Sequence, residues 1–225
     1  MNIIKKAFRE GRTALTEYES KQVLASYNIP VTNEIIVDSI EDLAKAVEKI
    51  DYPLVLKGCS SEITHKTEKD LIRIDIRDEK EAVNSFQEIA ANMNGDTKTI
   101  LVQEMIKGKR ELVVGMNRDP QFGPCIMFGL GGIFTEILKD VSFRIAPIEK
   151  KDALEMMKEI KGHKILDGVR GMSTVDLEIL TEILIKVGQI GLDNEKISQI
   201  DINPLIICKG KPVAVDALII LEDQS

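Results

Sequence analysis

An α+β fold built as two lobes is what this sequence of 225 residues predicts. Three observations carry that expectation. Short β-rich runs are interspersed with helical stretches along the whole chain. A polar, turn-rich segment, Asn94-Gly95-Asp96-Thr97-Lys98, falls near the middle and predicts a division into lobes 1–97 (with an N-terminal extension) and 98–225. The tail, Ile200 to Leu218, reads as two β-rich runs around Lys209-Gly210, which is a hairpin pattern.

Taken in order, the first helix is expected over 17–27, with Thr16 and Glu19 as a capping box and Asn28 as its stop. Ile29-Pro30-Val31 leads into a strand near 32–37. A second helix starts after Ser39, with Asp42 in its first turn and Leu43, Val47 and Ile50 on its apolar face. Strands are expected over 54–58 and 71–76, with the loop 59–70 between them and a helix over 79–93 after them. Beyond the central segment come strands near 99–105, 110–117 and 124–129. The Gly-rich turn Gly129-Leu130-Gly131-Gly132, helices near 149–160 and 174–190, and the terminal hairpin follow.

Composition narrows the function classes. Hydrophobic content of 44% with 30% charged residues is ordinary for a globular protein. A net charge of −7 argues against a nucleic-acid partner, which would call for a basic face, but leaves nucleotides open because a few local cations serve a phosphate. Cys59, Cys125 and Cys208 lie far apart and fit neither a disulfide framework nor a zinc motif. No apolar run approaches a membrane span, and Met1 to Arg12 lacks the apolar stretch of a signal peptide, so a cytoplasmic protein is expected.

The tail carries the most telling residues. With Lys209-Gly210 as the turn, Asn203 falls opposite Asp216, on the same strand face as Asp201. An amide oxygen beside one or two carboxylates is a ligand set for a hard divalent cation such as Mg²⁺, which takes few protein ligands and leaves the rest to water and phosphates. A solvated strand face is the alternative, and Pro204 is a residue that can disturb the ladder. Lys57 ends an apolar strand and precedes Ser60, Ser61 and Thr64-His65-Lys66-Thr67, a basic, hydroxyl-rich loop suited to phosphate oxygens. Alone, Lys57 would be a snorkelling edge residue. Gln103-Glu104-Met105 closes a strand whose backbone can meet an adenine edge, or is simply a strand end. Glu111, among apolar residues, suits ribose hydroxyls or solvent. Arg144, after the Gly-rich turn and Asp140, offers a fork for a phosphoryl group or for a surface carboxylate.

Together these residues resemble a family. From Gly11-Arg12-Thr13-Ala14-Leu15-Thr16-Glu17 through Tyr52-Pro53-Leu54-Val55-Leu56-Lys57 and Ile63-Thr64-His65-Lys66-Thr67, the chain is similar to the ATP-grasp β subunits of ADP-forming acyl-CoA synthetases, relatives of succinyl-CoA synthetase. The likeness continues through Arg118-Asp119-Pro120-Gln121-Phe122-Gly123-Pro124, Phe128 to Gly132, Leu166 to Gly171 and Asp201-Ile202-Asn203-Pro204-Leu205. One stretch departs from the family pattern: Glu68-Lys69-Asp70-Leu71 stands where two glycines are usual, and Ser61 where proline is common.

The resemblance implies an ATP-grasp fold, two lobes holding a nucleotide between them, and the reaction acyl-CoA + ADP + phosphate ⇌ acid + CoA + ATP. It implies Lys57 on the phosphates, Gln103, Glu104 and Met105 at the adenine, and Glu111 at the ribose. His65 would relay the phosphoryl group, with Asp201 orienting the incoming phosphohistidine and Arg144 steadying the transferring group. Asn203 and Asp216 would hold Mg²⁺ beside ATP or ADP. The implied partner is an α subunit with CoA-binding and phosphohistidine domains, in an α2β2 assembly, with no membrane or nucleic acid involved. The other readings are an ATP-grasp ligase joining a carboxylate to an amine, for which the chain is short, and a nucleotide-binding scaffold without transfer chemistry.

Overall fold

The computed structural model describes residues 2–59, 70–93, 98–132, 140–168 and 171–222. In chain order its elements are α1 (Asn2–Arg9), α2 (Glu17–Ser26), β1 (Glu34–Val37), α3 (Ile40–Val47), β2 (Leu54–Gly58), β3 (Ile72–Ile76), α4 (Glu79–Asn92) and β4 (Ile100–Glu104). Then follow β5 (Glu111–Asp119), β6 (Gly123–Leu130), β7 (Val141–Ile145), α5 (Lys150–Glu159), a 3₁₀ turn at His163–Leu166, α6 (Leu177–Asp193), β8 (Ile197–Cys208), β9 (Lys211–Ala214) and β10 (Ala217–Leu221). The chain divides into two compact units, one of Thr16–Tyr18 and Thr32–Ile106, the other of Met1–Leu15, Glu19–Val31 and Lys107–Ser225.

That division differs from the expected break at residue 97. β4 lies beyond the break but pairs antiparallel with both β1 and β2, so its backbone hydrogen bonds tie it to the smaller unit. Residues of α1 and α2 join the core of the larger unit, through Ile4, Ala7, Val23 and Leu24. The segment Asn94–Thr97, expected to link the lobes, lies outside the described residues.

In the smaller unit the sheet order is β1-β4-β2-β3, with the described pairs antiparallel. Leu54, Leu56, Ile100 and Val102 point to one face and pack with Leu43 and Ala46 of α3 and Phe86 and Ile89 of α4. Both helices start on capped ends. Ser39 accepts from the Asp42 N–H at 3.1 Å, and Asp78 accepts from the Glu81 N–H at 2.8 Å. The strict alternation expected over 71–76 breaks at Asp75, whose φ of 60° makes a bulge. Ile76 therefore faces the core at 3% exposure while Ile74 stands 68% exposed.

In the larger unit the sheet runs β10-β8-β5-β6-β7, with β9 also pairing β8. Met116, Ile126, Phe128 and Ile200 face a core shared with Met156 and Met157 of α5 and Leu184 and Val187 of α6. The strand β7 and the helix α1 were not anticipated. The dense motif at Arg118–Pro124 proves architectural. Arg118 donates to the carbonyls of Gly191 (2.7 Å), Asn194 (3.0 Å) and Ile197 (2.9 Å), holding the C-terminal end of α6. Asp119 accepts from the N–H groups of Gln121 and Phe122, forming the β5–β6 turn.

Candidate functional site

Candidate residues occur in both units, and each set is described by itself. In the larger unit the hairpin has the register the sequence predicts. Cys208 pairs with Lys211 and Leu205 with Ala214, and the same offset pairs Ile202 with Ala217 and Asp201 with Leu218. The turn residues Lys209 and Gly210 both have positive φ (50° and 88°), the backbone twist a two-residue hairpin turn favours. Pro204 does not shift this register: the Val215 N–H reaches the Pro204 carbonyl at 3.1 Å, and the Asn203 N–H reaches the Asp216 carbonyl at 3.3 Å.

Against β5 the count changes. Leu112 pairs with Leu205 but Val114 with Ile202, so Asn203 and Pro204 both lie opposite Val113. This bulge on β8 turns Asn203 outward, where it is exposed, while Ile202 and Leu205 on either side stay in the core. Asp201 and Asp216 are close enough to repel. Burial first, and then the charge of Asp216, raise the Asp201 carboxyl above the usual carboxylate range. An amide oxygen and two carboxylates thus converge beside one bulge. Among the described residues no group of three or more His, Cys, Asp or Glu side chains is placed to hold a metal ion. The donor set fits an ion that takes part of its shell from phosphate and water.

Glu111 begins β5 and, by strand alternation through Val113 and Gly115, shares the sheet face of Asp201, which pairs with Gly115. The Gly-rich turn sits directly on it. The Gly131 N–H donates to the Glu111 carbonyl at 2.8 Å, and a Cβ on Gly131 would fall 2.8 Å from the Glu111 backbone carbon. Only glycine permits that approach. The neighbouring Arg110 is 5% exposed and donates to the carbonyls of Ile165 (3.0 Å), Asp167 (3.1 Å) and Ser173, fixing the segment that follows the 3₁₀ turn. Sequence reading passed over Arg110 because a cation before a strand carries no distinguishing pattern.

Arg144 is not brought to this face. Its pairing with Ile126, and through Met116 with Ile200, puts it on the helix-covered side of the sheet, opposite Asp201. There its guanidinium forks onto Glu159 of α5, at 2.9 Å for one arm and closer for the other. The expected phosphoryl-steadying role is corrected to an ion pair holding α5. Asp140 likewise serves the backbone, accepting from the N–H groups of Lys161 and Gly162 at 2.7 Å.

In the smaller unit, Lys57 and Gln103 share the sheet face opposite the core, because Val55 pairs with Gln103 and Lys57 with Leu101. Lys57 is 5% exposed, and its Nζ donates to Glu17 Oε1 at 2.7 Å. The sequence pattern had placed Glu17 only within a family motif, with no role. At the strand end, the Glu104 N–H donates to the Asn33 carbonyl (3.0 Å) and the Met105 N–H to the Pro53 carbonyl (3.2 Å). The Glu104 carboxylate accepts from the Asn33 N–H at 2.7 Å. These groups build the corner, and a cleft of about 260 Å³ opens against it, walled by Asn33, Asp51, Tyr52, Glu104 and Met105 among others. His65 and the rest of the loop 60–69 lie outside the described residues. Of the departing stretch, Asp70 pairs with Arg73 (2.7 and 3.0 Å) and Leu71 is buried, its carbonyl accepting from the Gly58 N–H at 2.9 Å. No helix among the described residues is long and apolar enough to cross a membrane.

Comparison with known proteins bears on this arrangement. The ATP-grasp domain family matches residues 6–221. The β subunit of acetate–CoA ligase [ADP-forming] I from Pyrococcus furiosus is 45% identical over 97% of this chain and 96% of its own. The single-chain acetate–CoA ligase [ADP-forming] I of Archaeoglobus fulgidus is 37% identical, and this chain spans 33% of its length. Acetyl-coenzyme A synthetase 1 of Ca. Korarchaeum cryptofilum, solved with coenzyme A and Ca-AMPCP, superposes with a TM-score of 0.94 at 42% identity, covering 98% of this chain and 99% of that one. A second structure of that enzyme holds Mg-AMPPCP with a phosphohistidine segment pointing towards the nucleotide binding site. The chain therefore belongs to the ATP-grasp family, among the β subunits of ADP-forming acetate–CoA ligases.

Proposed function

We propose that this chain is the nucleotide-binding subunit of an ADP-forming acyl-CoA synthetase, working with an α subunit that carries CoA and a phosphohistidine. The observation that most supports this reading is the convergence of Asp201, Asn203 and Asp216 beside the β8 bulge. A protein that only bound a nucleotide would have no use for a third polar group there. In the related single-chain ligase the sequence beyond this segment leaves room for the partner's portion.

On this reading Asp216 and Asn203 hold Mg²⁺, whose charge offsets that of the phosphates it bridges. Asp201, already raised by burial, accepts a hydrogen bond from the arriving imidazole and sets which ring nitrogen faces the nucleotide. Lys57 meets the phosphate chain and Glu111 the ribose. Gln103, Glu104 and Met105 border the adenine. Because the N–H groups of Glu104 and Met105 serve the Asn33 and Pro53 carbonyls, the donor for the adenine ring comes from residues beyond Met105. His65 takes the phosphoryl group and passes it on, imidazole being both nucleophile and leaving group near neutrality. Arg144 has no part in the transfer. An α2β2 assembly in the cytoplasm completes the proposal.

The test is turnover with the partner subunit. Wild type makes ATP from acetyl-CoA, ADP and phosphate. His65→Ala loses that by at least about a thousandfold, as removal of a nucleophile does, and keeps its ADP affinity within about twofold. Turnover at the wild-type rate in His65→Ala would overturn the relay.

A further inference from the structure

Glu17 and Lys57 form an ion pair with side chains only 1% and 6% exposed, at 2.7 Å. Taking two charges out of water to this degree costs about as much as their attraction returns, or more, so stability does not explain the pair. Geometry offers another account. Lys57 sits on β2, on the face it shares with Val55, Leu101 and Gln103, and its four-carbon stem has many rotamers. Glu17 is the first residue of α2, where the helix dipole favours a carboxylate and a turn of helix fixes its backbone. A short charge-assisted hydrogen bond from a rigid acceptor sets where the ammonium stands.

We propose that Glu17 is a positioning residue: it holds the Lys57 ammonium in the place where the nucleotide's phosphate chain meets it. The inference rests on the reading of Lys57 as the phosphate cation. The ammonium has three donors, and a carboxylate that takes one of them orients the others by tetrahedral geometry. Shortening the acid by one methylene, Glu17→Asp, keeps both charges but draws the ammonium out of place.

The experiment compares adenosine and ADP as probes, both with Mg²⁺, by calorimetric titration of the full chain. Wild type, Glu17→Asp and the double variant Glu17→Gln/Lys57→Met are used, the last removing both buried charges together so that neither is left unpaired. Wild type prefers ADP to adenosine. The double variant loses about tenfold or more of that preference, the worth of one charge-assisted hydrogen bond. Glu17→Asp loses a similar factor while its adenosine affinity stays unchanged, a pattern that mere loosening of the unit would not give. Should adenosine affinity also fall in Glu17→Asp, Glu17→Gln is judged by the same criterion. If the double variant keeps the full preference, the reading of Lys57 itself fails. If the double variant loses it and both single Glu17 variants keep it, Lys57 stands and the positioning role of Glu17 is overturned.

Discussion

Asp201 is a carboxylate held at a disadvantage. Burial and the charge of Asp216 favour its protonated form in the folded chain. A raised carboxyl makes the folded state lose stability as pH climbs from the ordinary carboxylate range near about 4 through its own higher value, and the loss persists at neutrality. In EDTA, Asp201→Asn should therefore melt above wild type at pH 7, with the advantage disappearing below about pH 4, the ordinary aspartate range. Equal melting temperatures at pH 7 would show that Asp201 carries no such strain. The same variant should transfer phosphoryl groups poorly, the trade between stability and activity seen where a site keeps an unfavourable charge. Lys57 is buried as well, and its charge is met by the carboxylate of Glu17 at 2.7 Å.

At the scale of elements, the terminal hairpin was legible because its signals are local. A turn pair able to take positive φ and two β-rich runs fix the register, and that register pairs Asn203 with Asp216. What the pattern could not reveal was the bulge against β5, since Val113 opposite both Asn203 and Pro204 is a property of a third strand ninety residues away in the chain. Arg144 was misjudged for a related reason. The strand β7 is short, and only its pairing with Ile126 decides which face its arginine takes. Arg144→Gln should cost at most about 1 kcal/mol, as exposed ion pairs do, and leave turnover within about twofold. Arg118→Met, which leaves the carbonyls of Gly191, Asn194 and Ile197, from the last turn of α6 to the start of β8, without their donor, should cost about 3 kcal/mol in urea denaturation with ADP affinity unchanged. A weaker Arg118 effect than Arg144 effect would reverse this assignment of structural roles.

At the scale of the whole molecule, the two units take their halves of the chain by pairing rather than by sequence order. β4 crosses the expected boundary to complete the smaller sheet, and the N-terminal helices return to the core of the larger unit. The fold class and most of the strands followed from periodicity; the membership of β4 followed only from its partners. If the proposed relay holds, one step of the reaction falls on another chain, and this subunit alone should bind nucleotide yet make no ATP from acetyl-CoA. The central claim, a nucleotide site completed by a divalent ion on the β8 hairpin, is tested most directly by titrating ADP into the chain with and without Mg²⁺, in wild type and Asp216→Ala. The account predicts binding at least about tenfold tighter with Mg²⁺ in wild type, as loss of a charged ligand contact would suggest, and no Mg²⁺ effect in the variant. Equal enhancement by Mg²⁺ in both proteins would contradict it.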